Sequence, residues 1–125
     1  MAQVKANAGE PGSAAPPYER LRVQLIQRMQ SGELAAGTRL PTVRGLAEEL
    51  GLAPNTVARA YRELEADHFI ETRGRNGSFV QAQGDAAQRA AQDAAAAYAD
   101  RIRKLGVAPD LALDYVAAAL KPLVE

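Results

Sequence analysis

Cysteine is absent from this chain, which excludes disulfide frameworks, thiolate metal sites and cysteine nucleophiles and suits a reducing compartment. Long apolar runs are absent too. No stretch approaches the roughly 18 uninterrupted apolar residues of a membrane helix, and Met1 to Ala15 lacks the basic-then-apolar order of a signal peptide. A soluble cytoplasmic protein with no membrane partner is therefore expected. Charge of one sign is missing as well, because 15 basic side chains balance 15 acidic ones. A nucleic-acid partner would have to be met by well-placed cations rather than by an overall basic excess. Histidine occurs once, and there is no metal-ligand cluster, no nucleophile beside a base and no phosphate-binding glycine loop. Neither catalytic residues, a metal nor a cofactor is expected.

What is present is one apolar pattern written twice. Val43, Leu46, Ala47 and Leu50, then Val57, Ala60, Tyr61 and Leu64, each follow the i, i+3, i+4, i+7 spacing of an amphipathic helix, with only Gly51 to Pro54 between them. Two short helices joined so tightly must cross steeply, which is the helix-turn-helix arrangement, and that arrangement predicts double-stranded DNA as partner.

The rest of the chain organises around this pair. At 125 residues it has room for one core plus an accessory element. Residues 1–15 are rich in Ala, Gly, Ser and Pro and read as a flexible tail. After Pro16-Pro17, Tyr18, Leu21, Leu25 and Met29 mark a first helix that ends at Ser31-Gly32. Leu34 to Leu40 reads as a plain connection. Thr42 is placed to cap a second helix over Val43 to Leu50, and Pro54 suits the first turn of a third that runs to about Ala66. Asp67-His68 closes it, and there His68 is read as a residue tolerating an unusual backbone angle rather than as a ligand.

Phe69 to Arg73 and Ser78 to Gln81 are β-prone segments flanking the turn sequence Gly74-Arg75-Asn76-Gly77. Phe69, Ile70, Phe79 and Val80 are expected to lay this hairpin against the helices. The fold class is mainly α: a winged helix-turn-helix domain (three helices plus a β-hairpin wing) over residues 16–84, followed by a two-helix hairpin over residues 85–125. In that last region Asp85 with Gln88 fits a variant capping box opening a helix through Leu105. Its stripe is Ala87, Ala91, Ala94, Tyr98, Ile102 and Leu105. After Gly106 and Pro109, Asp110 is expected to cap a final helix with Leu113, Val116, Ala117, Leu120 and Val124 along one side.

On a helical wheel Asn55, Arg59 and Arg62 fall opposite the Val57, Tyr61, Leu64 stripe, with Thr56 and Glu63 on the flank. Arginine pairs bidentately with guanine and asparagine with adenine, each discriminating by about 1–3 kcal/mol, so Asn55 and Arg59 are the leading candidates for base readout. Plain solvated surface is the alternative, and the tight helix pair argues against it. Ala53 and Pro54 also leave the start of the third helix without a side-chain cap, where a phosphate fits. Thr42 and Arg44 open the second helix toward the same duplex, although Arg44 is also placed to pair with Glu48 at i+4. On the wing, Arg73, Arg75, Asn76 and Gly77 are candidates for phosphate or minor-groove contact. The tyrosines read as packing residues, with Tyr98 and Tyr115 placed to line a pocket between the last helices.

Together, Leu40-Pro41-Thr42-Val43-Arg44, Leu46-Ala47, Leu50-Gly51, Pro54 to Tyr61, Leu64 and Gly77-Ser78-Phe79-Val80 resemble the GntR family of bacterial transcription regulators, over about Pro16 to Ala82. The short two-helix remainder looks like the YtrA-type subfamily. The resemblance implies dimerisation through the C-terminal helices, here Ala91, Ala94, Tyr98, Ile102, Leu105, Leu113, Val116 and Leu120, whose apolar surface exceeds what a lone hairpin buries. The alternative is that both helices fold back on their own domain. The sequence departs from the family where Thr42 is followed by Gly45 rather than Glu, and where Pro54 and Ala58 stand in place of arginines common in other members. It departs again where His68 replaces a glycine and where Arg75-Asn76 lies between the wing glycines. The expectation is a sequence-specific regulator, a repressor that binds an inverted-repeat operator as a homodimer, with a small-molecule effector unidentified. A winged helix used for protein contact is the competing reading.

Overall fold

Pro17 holds Pro16 extended (φ −60°, ψ 155°) and itself takes the first helical position, so α1 (Pro17–Gln30) begins there. Ser31 caps it, and Gly32 follows at φ +87°. The computed structural model describes residues 15–122. The expected tail up to residue 14 and the stripe position Val124 lie outside the described residues.

α2 (Val43–Leu50) starts where the Gly45 N–H donates to the Thr42 hydroxyl at 3.0 Å and stops where Gly51 turns left-handed at φ +67°. α3 (Pro54–Ala66) starts with proline at the first position and ends at Asp67. The chain then passes through His68 at φ +64°, the one non-glycine residue with positive φ among the described residues.

The three helices enclose one core. Leu21 and Leu25 of α1, Leu46 and Ala47 of α2, and Val57, Ala60, Tyr61 and Leu64 of α3 are buried together with Leu34, Leu40, Ile70 and Val80. Each fully buried leucine stabilises the fold by about 1.5–3 kcal/mol. α3 packs on both other helices, and one polar bond locks the corner: the Tyr61 hydroxyl, buried, donates to the Pro41 carbonyl at 2.8 Å.

The wing is a two-stranded antiparallel sheet of β1 (Ile70–Thr72) and β2 (Ser78–Val80), with Ile70 opposite Val80 and Glu71 opposite Phe79. A 3₁₀ turn, Gly74–Asn76, joins them. Two expectations need correction here. Leu34 to Leu40 is not merely a connection, because Arg39 bridges Phe79, the Leu40 N–H donates to the Ser78 carbonyl at 2.8 Å and the Val80 N–H to the Thr38 carbonyl at 2.9 Å. Phe79 does not join the core, because side chains alternate along a strand and Val80 takes the inward position. The Phe79 ring instead lies under the Arg73 guanidinium, 4.3 Å from its centroid.

α4 (Ala86–Leu105) opens on the capping box, with the Gln88 N–H donating to Asp85 Oδ1 at 2.8 Å and the Asp85 N–H to Gln88 Oε1 at 2.9 Å. It ends at Gly106, left-handed at φ +73°. α5 (Pro109–Ala119) is capped by Ala108 and not by Asp110. Pro109 takes the first helical position, which moves Asp110 inside the first turn, where its carboxylate accepts from the Leu111 N–H at 2.9 Å. The Tyr98 hydroxyl joins the two helices by donating to the Ala112 carbonyl at 3.0 Å. No helix among the described residues is long and apolar enough to cross a membrane.

Burial pushes the Tyr61 phenol above the ordinary tyrosine value of 10.0, so above that pH the unfolded chain ionises while the folded one stays neutral. Stability is thus fully present below the ordinary value and declines as pH rises past it. Tyr61→Phe should remove this decline and cost about 1–3 kcal/mol at neutral pH, since the Pro41 carbonyl loses its donor. Urea denaturation at neutral and at strongly alkaline pH checks both, and an unaltered alkaline slope in the variant would contradict the assignment.

Candidate nucleic-acid interface

Burying Val57, Ala60, Tyr61 and Leu64 leaves the opposite side of α3 to solvent, and there Asn55, Arg59 and Arg62 are exposed, with Thr56 and Glu63 half-buried at the edge. The Thr56 and Val57 N–H groups both turn to the Ala53 carbonyl, at 3.0 and 3.4 Å. This leaves the Asn55 N–H as an open amide in the first turn of α3, beside the Asn55 side chain.

Arg59 is held from two sides. Its guanidinium lies 3.8 Å from the Tyr18 ring centroid, and its Nε sits 3.4 Å from Glu63 Oε2. Glu63 in turn faces Arg22 at 3.6 Å, and Arg22 pairs with Glu19 at 2.7 Å. The hydrogen bond from Arg22 holds the Glu19 carboxyl below its ordinary range. This chain of charges ties α1 to α3 along the rim of that exposed side. Arg44, Asn55 and Arg62 are exposed and carry no side-chain hydrogen bond or ion pair among the described residues. The Arg44–Glu48 pair is not formed. Thr42 is exposed, but its hydroxyl is occupied by the cap of α2.

On the wing, Arg73 stacks on Phe79 and lies 3.5 Å from Glu71. Arg75 and Asn76 are exposed in the 3₁₀ turn, and Gly77 follows at φ +102°. A Cβ at Gly77 would stand 3.1 Å from Arg39 Nε. Arg39 is a wing cation that the sequence reading missed. Its pairing with Phe79 is a single bridge, which leaves no periodic pattern in the sequence.

The C-terminal candidates lie apart from this face. Ala91, Ala94, Tyr98, Leu105, Leu113 and Leu120 are exposed, Leu113 at 69% and Leu120 at 77%, while Ile102 and Val116 are half-buried. Neither helix folds its apolar stripe back onto the winged domain. Tyr98 and Tyr115 do not line the cleft of about 600 Å³ found here, which lies between α4 and the wing. Among the described residues no group of three or more His, Asp or Glu is placed to hold a metal.

Comparison with known proteins agrees with this architecture. Residues 17–80 match the family model described as bacterial regulatory proteins, gntR family. The chain is 48% identical over 101 residues to the HTH-type transcriptional regulator Rv1152 of Mycobacterium tuberculosis, covering 81% of this chain and 83% of that protein. It is 38% identical over 71 residues to the HTH-type transcriptional repressor YtrA of Bacillus subtilis, covering 57% of this chain and 55% of that one. Among solved structures, YtrA from Sulfolobus acidocaldarius, a GntR-family transcription factor, superposes with a TM-score of 0.57 at 33% identity, over 60% of this chain and 79% of that chain.

Gly77 combines φ +102° and ψ −161°, a region open in practice only to glycine, with the close approach of Arg39. Gly77→Ala should therefore destabilise the fold by about 1–3 kcal/mol. Chemical denaturation measures it, and a loss below about 0.5 kcal/mol would contradict the assigned wing geometry.

Proposed function

Because the chain belongs to the GntR family of bacterial transcriptional regulators, and so is a DNA-binding regulator, we propose that it is a repressor that binds an inverted-repeat operator as a homodimer. The observation that carries this reading is the division of α3 into a buried apolar side and an exposed side bearing Asn55, Arg59 and Arg62. A helix seated in the core on one side presents the other at the depth of a major groove.

In this reading Asn55 and Arg59 contact base edges, with Arg62 and Thr56 beside them. Arg44 reaches a base or a phosphate from α2, and Thr42 contributes at its cap. The open Asn55 amide receives a phosphate oxygen. Arg59 is presented by its stack on Tyr18, which limits its rotamers before DNA arrives. The wing follows the backbone with Arg73, Arg75, Asn76 and Gly77, a role that Arg39 shares by position. With a net charge of zero, one copy gains little from long-range attraction, so pairing two copies supplies the affinity.

The dimer surface in this reading comprises Ala91, Ala94, Tyr98, Ile102 and Leu105 of α4 with Leu113, Val116 and Leu120 on and after α5. Support comes from the exposure of Tyr98, Leu105, Leu113 and Leu120, large apolar side chains whose contact with water favours burial against a second copy. Repression is supported by the repressor YtrA of Bacillus subtilis being a relative, and it requires an operator that overlaps the promoter.

Arg59→Ala should leave the fold intact and lower discrimination against a mismatched operator by about tenfold or more, as should Asn55→Ala. Competition binding with unrelated duplex measures this, and unchanged selectivity in both variants would sink the assignment. Leu113→Asp tests the dimer separately, because the side chain is exposed in a single copy and its loss costs that copy nothing. Sedimentation should show folded monomers, and an intact dimer would remove Leu113 from the interface.

A further inference from the structure

α4 is the longest helix among the described residues, yet it has no buried residue, so core packing does not decide the direction in which it leaves the winged domain. A cleft separates much of its length from the wing. What joins them is a small set of contacts near its N-terminal half. The Gln92 side-chain amide lies along the Gln83 backbone: Oε1 accepts from the Gln83 N–H at 3.3 Å, and Nε2 donates to the Gln83 carbonyl at 2.6 Å. Gln83 is tied in turn to the chain entering and leaving the hairpin. Its Nε2 donates to the carbonyls of His68 at 2.8 Å and Gln81 at 3.2 Å. One turn beyond Gln92, Ala96 sits so near Gly37 that a Cβ there would meet the Ala96 Cβ at 2.8 Å.

We infer that the Gln83–Gln92 amide clamp fixes the angle at which α4 leaves the winged domain, and thereby the half-site spacing that the protein accepts on DNA. Both glutamines are positioning residues for operator specificity. The inference rests on the homodimer reading, since spacing has meaning only when α4 and α5 join two copies. A paired amide fixes orientation as well as distance, which a single hydrogen bond does not. The lever is long: at 20 residues, α4 spans about 30 Å, so a tilt of about ten degrees at its base moves its far end by about 5 Å. That exceeds the rise of one base pair, about 3.4 Å. Half-sites of dimeric helix-turn-helix proteins lie about one helical turn apart, so a shift of this size changes which spacing both reading helices can satisfy. Neither glutamine lies on α3, so neither is placed to read a base.

The test uses the full chain and operator duplexes selected from a random-sequence library by the unmodified protein, with the central spacer kept, shortened or lengthened by one base pair. Gln92→Met keeps the side-chain length and removes both hydrogen bonds of the clamp. It should sediment as a dimer, melt within a few degrees of the parent and bind an isolated half-site as the parent does. Its preference for the parental spacing should fall about tenfold. Gln83→Met, which releases the linker from the His68 carbonyl, should act in the same direction. Gln92→Glu should not restore the preference, because its carboxylate opposes the Gln83 carbonyl. Dimeric Gln92→Met and Gln83→Met with unchanged spacing preference would overturn the clamp and leave the homodimer standing. A parent chain that sediments as a monomer on its operator would overturn both.

Discussion

The hydrogen bond from the Tyr61 hydroxyl to the Pro41 carbonyl closes the corner between α2 and α3, and the placement of the exposed side of α3 depends on that corner. Tyr61 lies on the inward side of α3 and Pro41 immediately precedes the cap of α2, so one bond sets where both helices begin relative to the core. Gly51 supplies the left-handed turn between them. With α3 seated on α1 and α2 through Val57, Ala60 and Leu64, its outer side has no freedom to roll. Asn55 and Arg62 are exposed by consequence of what is buried.

The electrostatics are local rather than global. Cations and anions balance over the chain, yet the rim of α3 strings Arg59, Glu63, Arg22 and Glu19 into one network, and Tyr18 stacks beneath Arg59. Pairs at the surface, half-buried or exposed as these are, add little to stability. Their effect is to restrict where the guanidinium of Arg59 rests. The wing repeats the device, with Phe79 turned outward beneath Arg73. The C-terminal helices are held differently, by a capping box and side-chain amides rather than by a core, so their attachment belongs to the more easily opened part of the molecule.

Elements delimited by backbone chemistry were legible in the sequence. Thr42, Gly51 and Pro54 place the ends of α2 and the start of α3 where the structure has them, and Asp85 with Gln88 opens α4 as expected. The left-handed conformation of His68 was legible for the same reason, since a chain leaving a helix into a strand needs such a turn. What depends on register or long-range pairing was not. The bridge from Arg39 to Phe79 is a single pairing, too short to leave an alternating pattern, and the wing cation Arg39 was missed with it. Composition points Phe79 inward, whereas its pairing opposite Glu71 turns it outward. Asp110 looks like a cap in the sequence, yet Pro109 starts the helix one residue earlier. The candidate reading face itself followed from periodicity alone, while the stack of Arg59 on Tyr18 required knowing that α1 lies against α3.

The central claim is that two copies present two α3 faces to one duplex. A hydroxyl-radical footprint of the full chain on a genomic fragment that it retains tests this most directly. The account predicts two protected patches related by a two-fold axis, with centres about one helical turn or a small multiple apart. A single protected patch at saturating protein, or uniform protection without boundaries, would contradict it.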